Sequence, residues 1–171
     1  VGTSSYSNIV SITFPPPVAN LVTNGGFETG DLTGWNMVDL SGETFVTHIT
    51  TNPQYVYSGD YGLVTGPYPI TYGSISQSLT TGIGNMYNLS FWLHVDGGVG
   101  SDFQIWWEGT MIDSYADLAA SVWDQYSFGV TASAATSQLA FGVLNNPGYF
   151  GLDDISYDEI KNKLQDKLTK E

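Results

Sequence analysis

The run "NLSFWLHVD", residues 88–96, decides the fold class. Its apolar residues fall at every second position, at Leu89, Phe91, Leu93 and Val95, with Asn88, Ser90, Trp92 and His94 between them. A period of two marks a strand with one buried face, because successive side chains point to opposite sides of the pleat. The same period recurs downstream. "DFQIWWEG", residues 102–109, places Phe103, Ile105 and Trp107 inside and Gln104, Trp106 and Glu108 outside. "VWDQYSFGV", residues 122–130, buries Tyr126, Phe128 and Val130 and exposes Trp123 and Gln125; "SQLAFGVL", residues 137–144, buries Leu139, Phe141 and Val143. Weaker strands are expected at Thr44–Thr50, Tyr61–Thr65, Gly73–Thr80 and Phe150–Tyr157. Gly, Pro, Asn and Asp clusters separate these runs at short intervals. Eight or nine short antiparallel strands with such punctuation predict an all-β protein, a β-sandwich.

The ends break the pattern. Residues 1–17, "VGTSSYSNIVSITFPPP", hold one alternating strand with Tyr6, Val10, Ile12 and Phe14 on one side, followed by a stiff three-proline spacer. Residues 1–14 resemble the last strand of a fibronectin type III domain, which implies an upstream domain. A chain that starts at Val1 reads as part of something longer. An orphan strand has unpaired edges, so residues 1–14 are also a candidate surface for homo-oligomer formation. At the other end, residues 159–171 carry Ile160, Leu164 and Leu168 at helical spacing and predict a short amphipathic helix or tail. The sandwich itself is expected over residues 18–158.

Charge narrows the partners. Seventeen acids face four basic residues in 171, for a net charge of −13. The four are Lys161, Lys163, Lys167 and Lys170, and arginine is absent. Nucleic acid and anionic membrane both need Lys or Arg to neutralise them, so both are excluded as partners. Divalent cations and neutral ligands remain. With no cysteine there is no disulfide framework, thiolate metal site or cysteine nucleophile.

Four stretches carry a family resemblance: "ANLVTNGGFETGDLTGWN" (residues 19–36), "YNLSFWLHVDGG" (87–98), "WDQYSFGVTAS" (123–133) and "NNPGYFGLDDISYD" (145–158). Together they resemble carbohydrate-binding modules of the family 4/9/22 type, jelly rolls of the galactose-binding-like class. The resemblance implies a non-catalytic module of an extracellular or cell-surface multidomain protein, binding a neutral polysaccharide or cell-surface glycan. It also implies a structural calcium ion where the first and last strands meet, with Glu28 and Asp153 as acids and backbone carbonyls near Gly26 and Asp60 completing the shell. Calcium takes about six to eight oxygens, many of them carbonyls that only irregular turns present. Asp154 follows Asp153 on an alternating strand and is expected on the opposite face.

A neutral sugar is recognised by flat aromatic faces, with carboxylate, amide or imidazole groups bonding its hydroxyls. Trp92 and His94, with Trp106 and Glu108 across a hairpin turned by residues 96–100, supply those types on one non-core face, and Trp123 with Gln125 extend it. A covering loop or terminal helix is the alternative fate of these tryptophans. The loop tyrosines Tyr55, Tyr57, Tyr68 and Tyr72 form a second candidate edge. Catalysis finds little support: a glycosidase needs two facing carboxylates, and only Glu43 with Glu108 can be offered. The rival function is a structural or adhesive building block of a surface assembly, such as a phage appendage, pilus-like filament or surface layer, associating through the N-terminal strand; a virion surface is then a further location.

Overall fold

The computed structural model describes residues 20–39, 47–66, 72–145 and 148–160. The N-terminal strand and proline spacer, residues 161–171 of the expected helix, Glu43 and Tyr68 lie outside the described residues. The regular structure among the described residues is ten strands: β1 (Asn36–Asp39), β2 (Thr47–Thr50), β3 (Gly62–Thr65), β4 (Gly73–Thr80), β5 (Met86–Val95), β6 (Asp102–Trp107), β7 (Thr110–Ala116), β8 (Ser121–Thr131), β9 (Thr136–Leu144) and β10 (Phe150–Glu159). They form two five-stranded sheets, the first in the order β1-β4-β9-β6-β7 and the second in the order β2-β3-β10-β5-β8, with every described pairing antiparallel. This is the jelly-roll sandwich that the alternation and the resemblance implied. Glu159, expected to open a helix, is the last residue of β10.

The alternation holds residue by residue in the core. Leu89, Phe91, Leu93 and Val95 face inward from β5, Phe103, Ile105 and Trp107 from β6, and Leu139, Phe141 and Val143 from β9, all buried. The sheets interlock through aromatic rings: Phe91 of the second sheet lies 5.1 Å from Phe141 and 5.7 Å from Phe103 of the first. The turn-rich segment before β1 is anchored by buried aromatic rings. Phe27 and Trp35 are buried with ring centroids 5.9 Å apart, and Trp35 reaches Phe141 at 6.3 Å. Gly25 is required there, because a Cβ would fall 2.0 Å from the Ile155 carbonyl oxygen.

Two local features differ from expectation. First, β5 and β6 are not a hairpin; they belong to opposite sheets. The connection carries Gly97, Gly98 and Gly100 at positive φ, and Asp96 N–H donates to Tyr149 O, so the chain crosses between sheets instead of folding back in plane. Second, β6 ends at Trp107 and turns through Glu108-Gly109, both at positive φ (49° and 76°), into β7. This two-residue turn with two left-handed positions matches the right-handed twist of its strands.

Candidate functional site

The crossover separates the residues expected to share one face. Trp92 and His94 (β5) and Trp123 and Gln125 (β8) lie on the outer face of the second sheet, with Trp92 opposite Gln125. Trp106 lies on the outer face of the first sheet. Glu108 lies on neither: the turn aims its carboxylate at the β8–β9 connection, where it accepts hydrogen bonds from Ser133 N (2.9 Å), Ser133 Oγ and Ser137 Oγ. Those bonds hold its carboxyl below the usual range. The single aromatic face is therefore two faces, back to back.

On the second sheet the loop of residues 51–61 covers the tryptophans. Tyr57 stacks on Trp92 with centroids 3.9 Å apart and planes within 15°, and meets Trp123 edgewise at 5.6 Å. Tyr55 packs on His94 at 5.3 Å. Tyr55 and Tyr57 thus join the site they were expected to rival. Gly151 of β10, opposite His94, makes room for them: a Cβ there would come within 3.2 Å of His94, Trp123 and Tyr55. Asp96 ties the assembly, accepting from Tyr55 Oη (2.8 Å), Gln54 Nε2 (2.9 Å), His94 Nε2 (3.1 Å) and Tyr149 N (3.1 Å). Burial pushes the Asp96 carboxyl up, but the bonds from Tyr55, His94 and the Tyr149 amide outweigh it and hold it below the usual range. His94 Nδ1 faces the Val122 carbonyl, so both ring nitrogens face acceptors.

The first sheet is different. Trp106 stands beside Ala140, which is paired with Ser76; Gln104 stands beside Gly142, which is paired with Ser74. These small side chains leave a cleft of about 270 Å³ lined by Tyr72, Ser74, Gln104, Trp106, Ala140 and Gly142. Trp106 Nε1 donates to Gln104 Oε1 (3.1 Å), and Gln104 Nε2 donates to Asp102 Oδ2 (2.8 Å). Asp102 also accepts from Tyr72 Oη and from Ser114 Oγ (2.7 Å). Burial raises the Asp102 carboxyl, yet the bonds from Tyr72, Ser114 and Gln104 bring it below the usual range. The Tyr72 hydroxyl is pushed up to about 12, chiefly by its bond to Asp102 and then by burial. Asp102 escaped the sequence reading, although its signal was present: Asp102, Gln104 and Trp106 share one parity on the strand.

The acids expected around calcium do converge on one seam, with Asp154 among them. A register shift between Asp153 and Ser156 and a φ of 48° at Asp154 break the alternation, so Asp154 does not turn away from Asp153. A Cβ on Gly26 would lie 3.2 Å from Asp154 Oδ1 and 3.7 Å from Asp153 Oδ1. Asp153, 0% exposed, accepts from Tyr57 N (2.8 Å), Ser58 N (3.2 Å) and Asp154 N (2.7 Å). Burial pushes its carboxyl up to about 6 against the pull of those amides. Glu28 accepts from Asp60 N (3.1 Å) and Tyr61 N (3.2 Å), and Asp154 accepts from Ser58 Oγ (2.9 Å). The oxygen donors suit a hard cation in type. Among the described residues, however, no group of three acidic or imidazole side chains is arranged to hold a metal ion. Glu28 and Asp153 already accept from the amides of residues 57–61.

No protein-family model matches the sequence, and no curated protein does. Solved structures do resemble the fold. The enzymatically active domain of tailspike protein 4 from bacteriophage CBA120 aligns with a TM-score of 0.66 and 13% identity over 82% of this chain and 21% of that one. This chain thus spans about a fifth of the tailspike structure's length. The module TmCBM61, solved with β-1,4-galactotriose, aligns with a TM-score of 0.63 and 18% identity over 83% of this chain and 99% of its own. The CBM22-1 xylan-binding domain of Paenibacillus barcinonensis Xyn10C aligns with a TM-score of 0.61 and 16% identity, covering 87% and 99%. At these identities the likeness is one of fold.

Proposed function

We propose that this domain is a non-catalytic carbohydrate-binding module of an extracellular multidomain protein, and that it takes a neutral glycan on the outer face of the first sheet. One observation carries the proposal: among the described residues Trp106 lines an open cleft with the small residues Ser74, Ala140 and Gly142, and the Tyr72, Asp102 and Gln104 network lies beside it. An indole face takes the C–H surface of a sugar, and acceptor-rich neighbours take its hydroxyl protons. An ionised Asp102 with no Lys or Arg among the described residues disfavours uronic or sulfated sugars. The seam of Glu28, Asp153, Asp154 and the carbonyls near Gly26 and Asp60 is our proposed position for a structural calcium ion. When bound, the ion would neutralise those carboxylates.

The test is affinity electrophoresis against neutral and acidic polysaccharides, run beside light scattering. The wild-type chain should be retarded by a neutral polysaccharide as a monodisperse species, Trp106→Ala should lose the retardation, and Trp92→Ala should keep it. Retardation lost in Trp92→Ala and kept in Trp106→Ala would move the site to the other face. Large assemblies with no glycan retardation would favour the building-block alternative.

A further inference from the structure

Along β6 the hydrogen-bond network beside Trp106 has a fixed polarity. An indole N–H only donates, so Gln104 must present Oε1 to Trp106. That forces Gln104 Nε2 to the other side, where an ionised carboxylate, which only accepts, meets it at 2.8 Å. Tyr72 Oη converges on the same oxygen, Asp102 Oδ2, and Ser114 Oγ on Oδ1. The Asp102 carboxylate therefore sets the direction of the Gln104 amide, and the amide sets the plane of the Trp106 ring.

We propose that Asp102 is the positioning residue of the Trp106 face, acting through the Gln104 amide to hold the indole ready for a sugar. The role rests on the function proposed above. It also states how that site recognises its ligand: the indole N–H is already taken by Gln104, so recognition falls on the ring face, while Gln104 keeps a second N–H for a hydroxyl. An alanine at position 102 removes the acceptor, whereas an asparagine keeps it, because its Oδ1 can accept from Gln104 and Tyr72 while its Nδ2 donates to the Ser114 hydroxyl. In the alanine variant the Gln104 amide is left with the Trp106 N–H alone and loses its fixed direction.

Asp102→Ala should thus shift the Trp106 indole N–H resonance in a ¹⁵N–¹H spectrum, assigned through Trp106→Phe, without added ligand. It should weaken retention by the neutral polysaccharide about tenfold, the scale of one lost hydrogen bond's worth of orientation. The melting curve serves as a control for folding. Asp102→Asn, which keeps an acceptor toward Gln104, should retain both signals. An unmoved indole resonance in folded Asp102→Ala, or an Asp102→Asn no better than Asp102→Ala, overturns the positioning role. A resonance shifted in Asp102→Ala and kept in Asp102→Asn, in a protein that retains no glycan in wild-type form, supports the positioning role and overturns the proposed ligand instead.

Discussion

The two outer faces of this sandwich are built from the same parts and reach opposite ends. Each has tryptophan on outward strand positions, a glycine on a neighbouring strand beneath the rings (Gly151 or Gly142), and an aspartate that gathers donors (Asp96 or Asp102). On the second sheet the 51–61 loop brings Tyr57 onto Trp92 and Tyr55 onto His94, so the aromatic surface is satisfied within the molecule. On the first sheet the described residues leave Trp106 lining a cleft with a floor of Ser74, Ala140 and Gly142. Among the described residues the difference between the faces is therefore the cover on the aromatic rings and the size of the side chains beside them.

The largest expected effect contrasts two adjacent residues of β6. Trp107 is buried and donates Nε1–H to Thr131 O at 3.1 Å, and it packs on Tyr157 at 5.0 Å. Trp107→Ala should cost about 3 to 5 kcal/mol in denaturant melts. Trp106→Ala should change stability by about 1 kcal/mol or less and act on binding alone. Equal costs would mean that Trp106 is a core residue and that the first face is closed.

The acid seam supports the covered face. Asp153 and Glu28 clamp the amides of residues 57–61, the segment that carries Tyr57. If calcium binds only the folded chain there, a concentration of one hundred to a thousand times its dissociation constant adds roughly 3 to 4 kcal/mol. Glu28→Gln should remove most of that gain. The Asp153 carboxyl, raised in the fold to about 6 from 3.8, contributes stability that is complete below pH 3.8 and is lost as pH rises through about 6. In chelator this contribution favours pH 5 over pH 7; the calcium response should instead shrink from pH 7 to pH 5, because the ion needs the carboxylate. Melting curves that show the same calcium gain at both pH values would remove Asp153 from the site. Sugar retention by Trp106 should be indifferent to the chelator.

The fold was largely legible because burial of one face writes a period of two into β5, β6, β8 and β9, and every inward assignment made on those strands lies on the core side. Alternation states which side of a strand is buried, not which sheet holds the strand, so β5 and β6 looked like neighbours. Glu108 was misplaced because Glu-Gly is a weak signal for a turn with two left-handed positions, which usually announces itself as Asn-Gly or Asp-Gly. Asp154 was misplaced because a bulge adds one residue without leaving a mark in the apolar pattern. The stack of Tyr57 on Trp92 joins distant segments and has no local signature. Edge strands β1 and β7, mostly exposed and mixed in polarity, lacked the periodic contrast that revealed the others.

The paired glycines give a smaller test. A methyl on Gly151 meets three crowded groups at 3.1–3.2 Å, whereas a methyl on Gly142 meets Gln104 Oε1 at 3.1 Å and then Gln104 Cβ and Trp106 Nε1 at 3.4 Å beside an open cleft. Gly151→Ala should cost about 1 to 2 kcal/mol, the scale of overpacking, and leave glycan retention unchanged. Gly142→Ala should cost less and weaken retention, because it pushes on the amide that orients Trp106. The reverse pattern would exchange the roles of the two faces.

The smallest effect isolates the cover itself. Tyr57 is 39% exposed and joins the second face through its ring, so Tyr57→Ser should cost only about 0.5 to 1.5 kcal/mol, the worth of an aromatic pair beyond its buried area. Trp92 and Trp123 would then meet water, and collisional quenching of tryptophan emission should rise. If exposure is what separates the faces, the double variant Tyr57→Ser, Trp106→Ala should regain weak glycan retention that a further Trp92→Ala abolishes. Unchanged quenching would place Tyr57 away from Trp92 in solution. Higher quenching without retention would show that the floor of small residues beside Trp106, and not the open ring, makes a face able to bind.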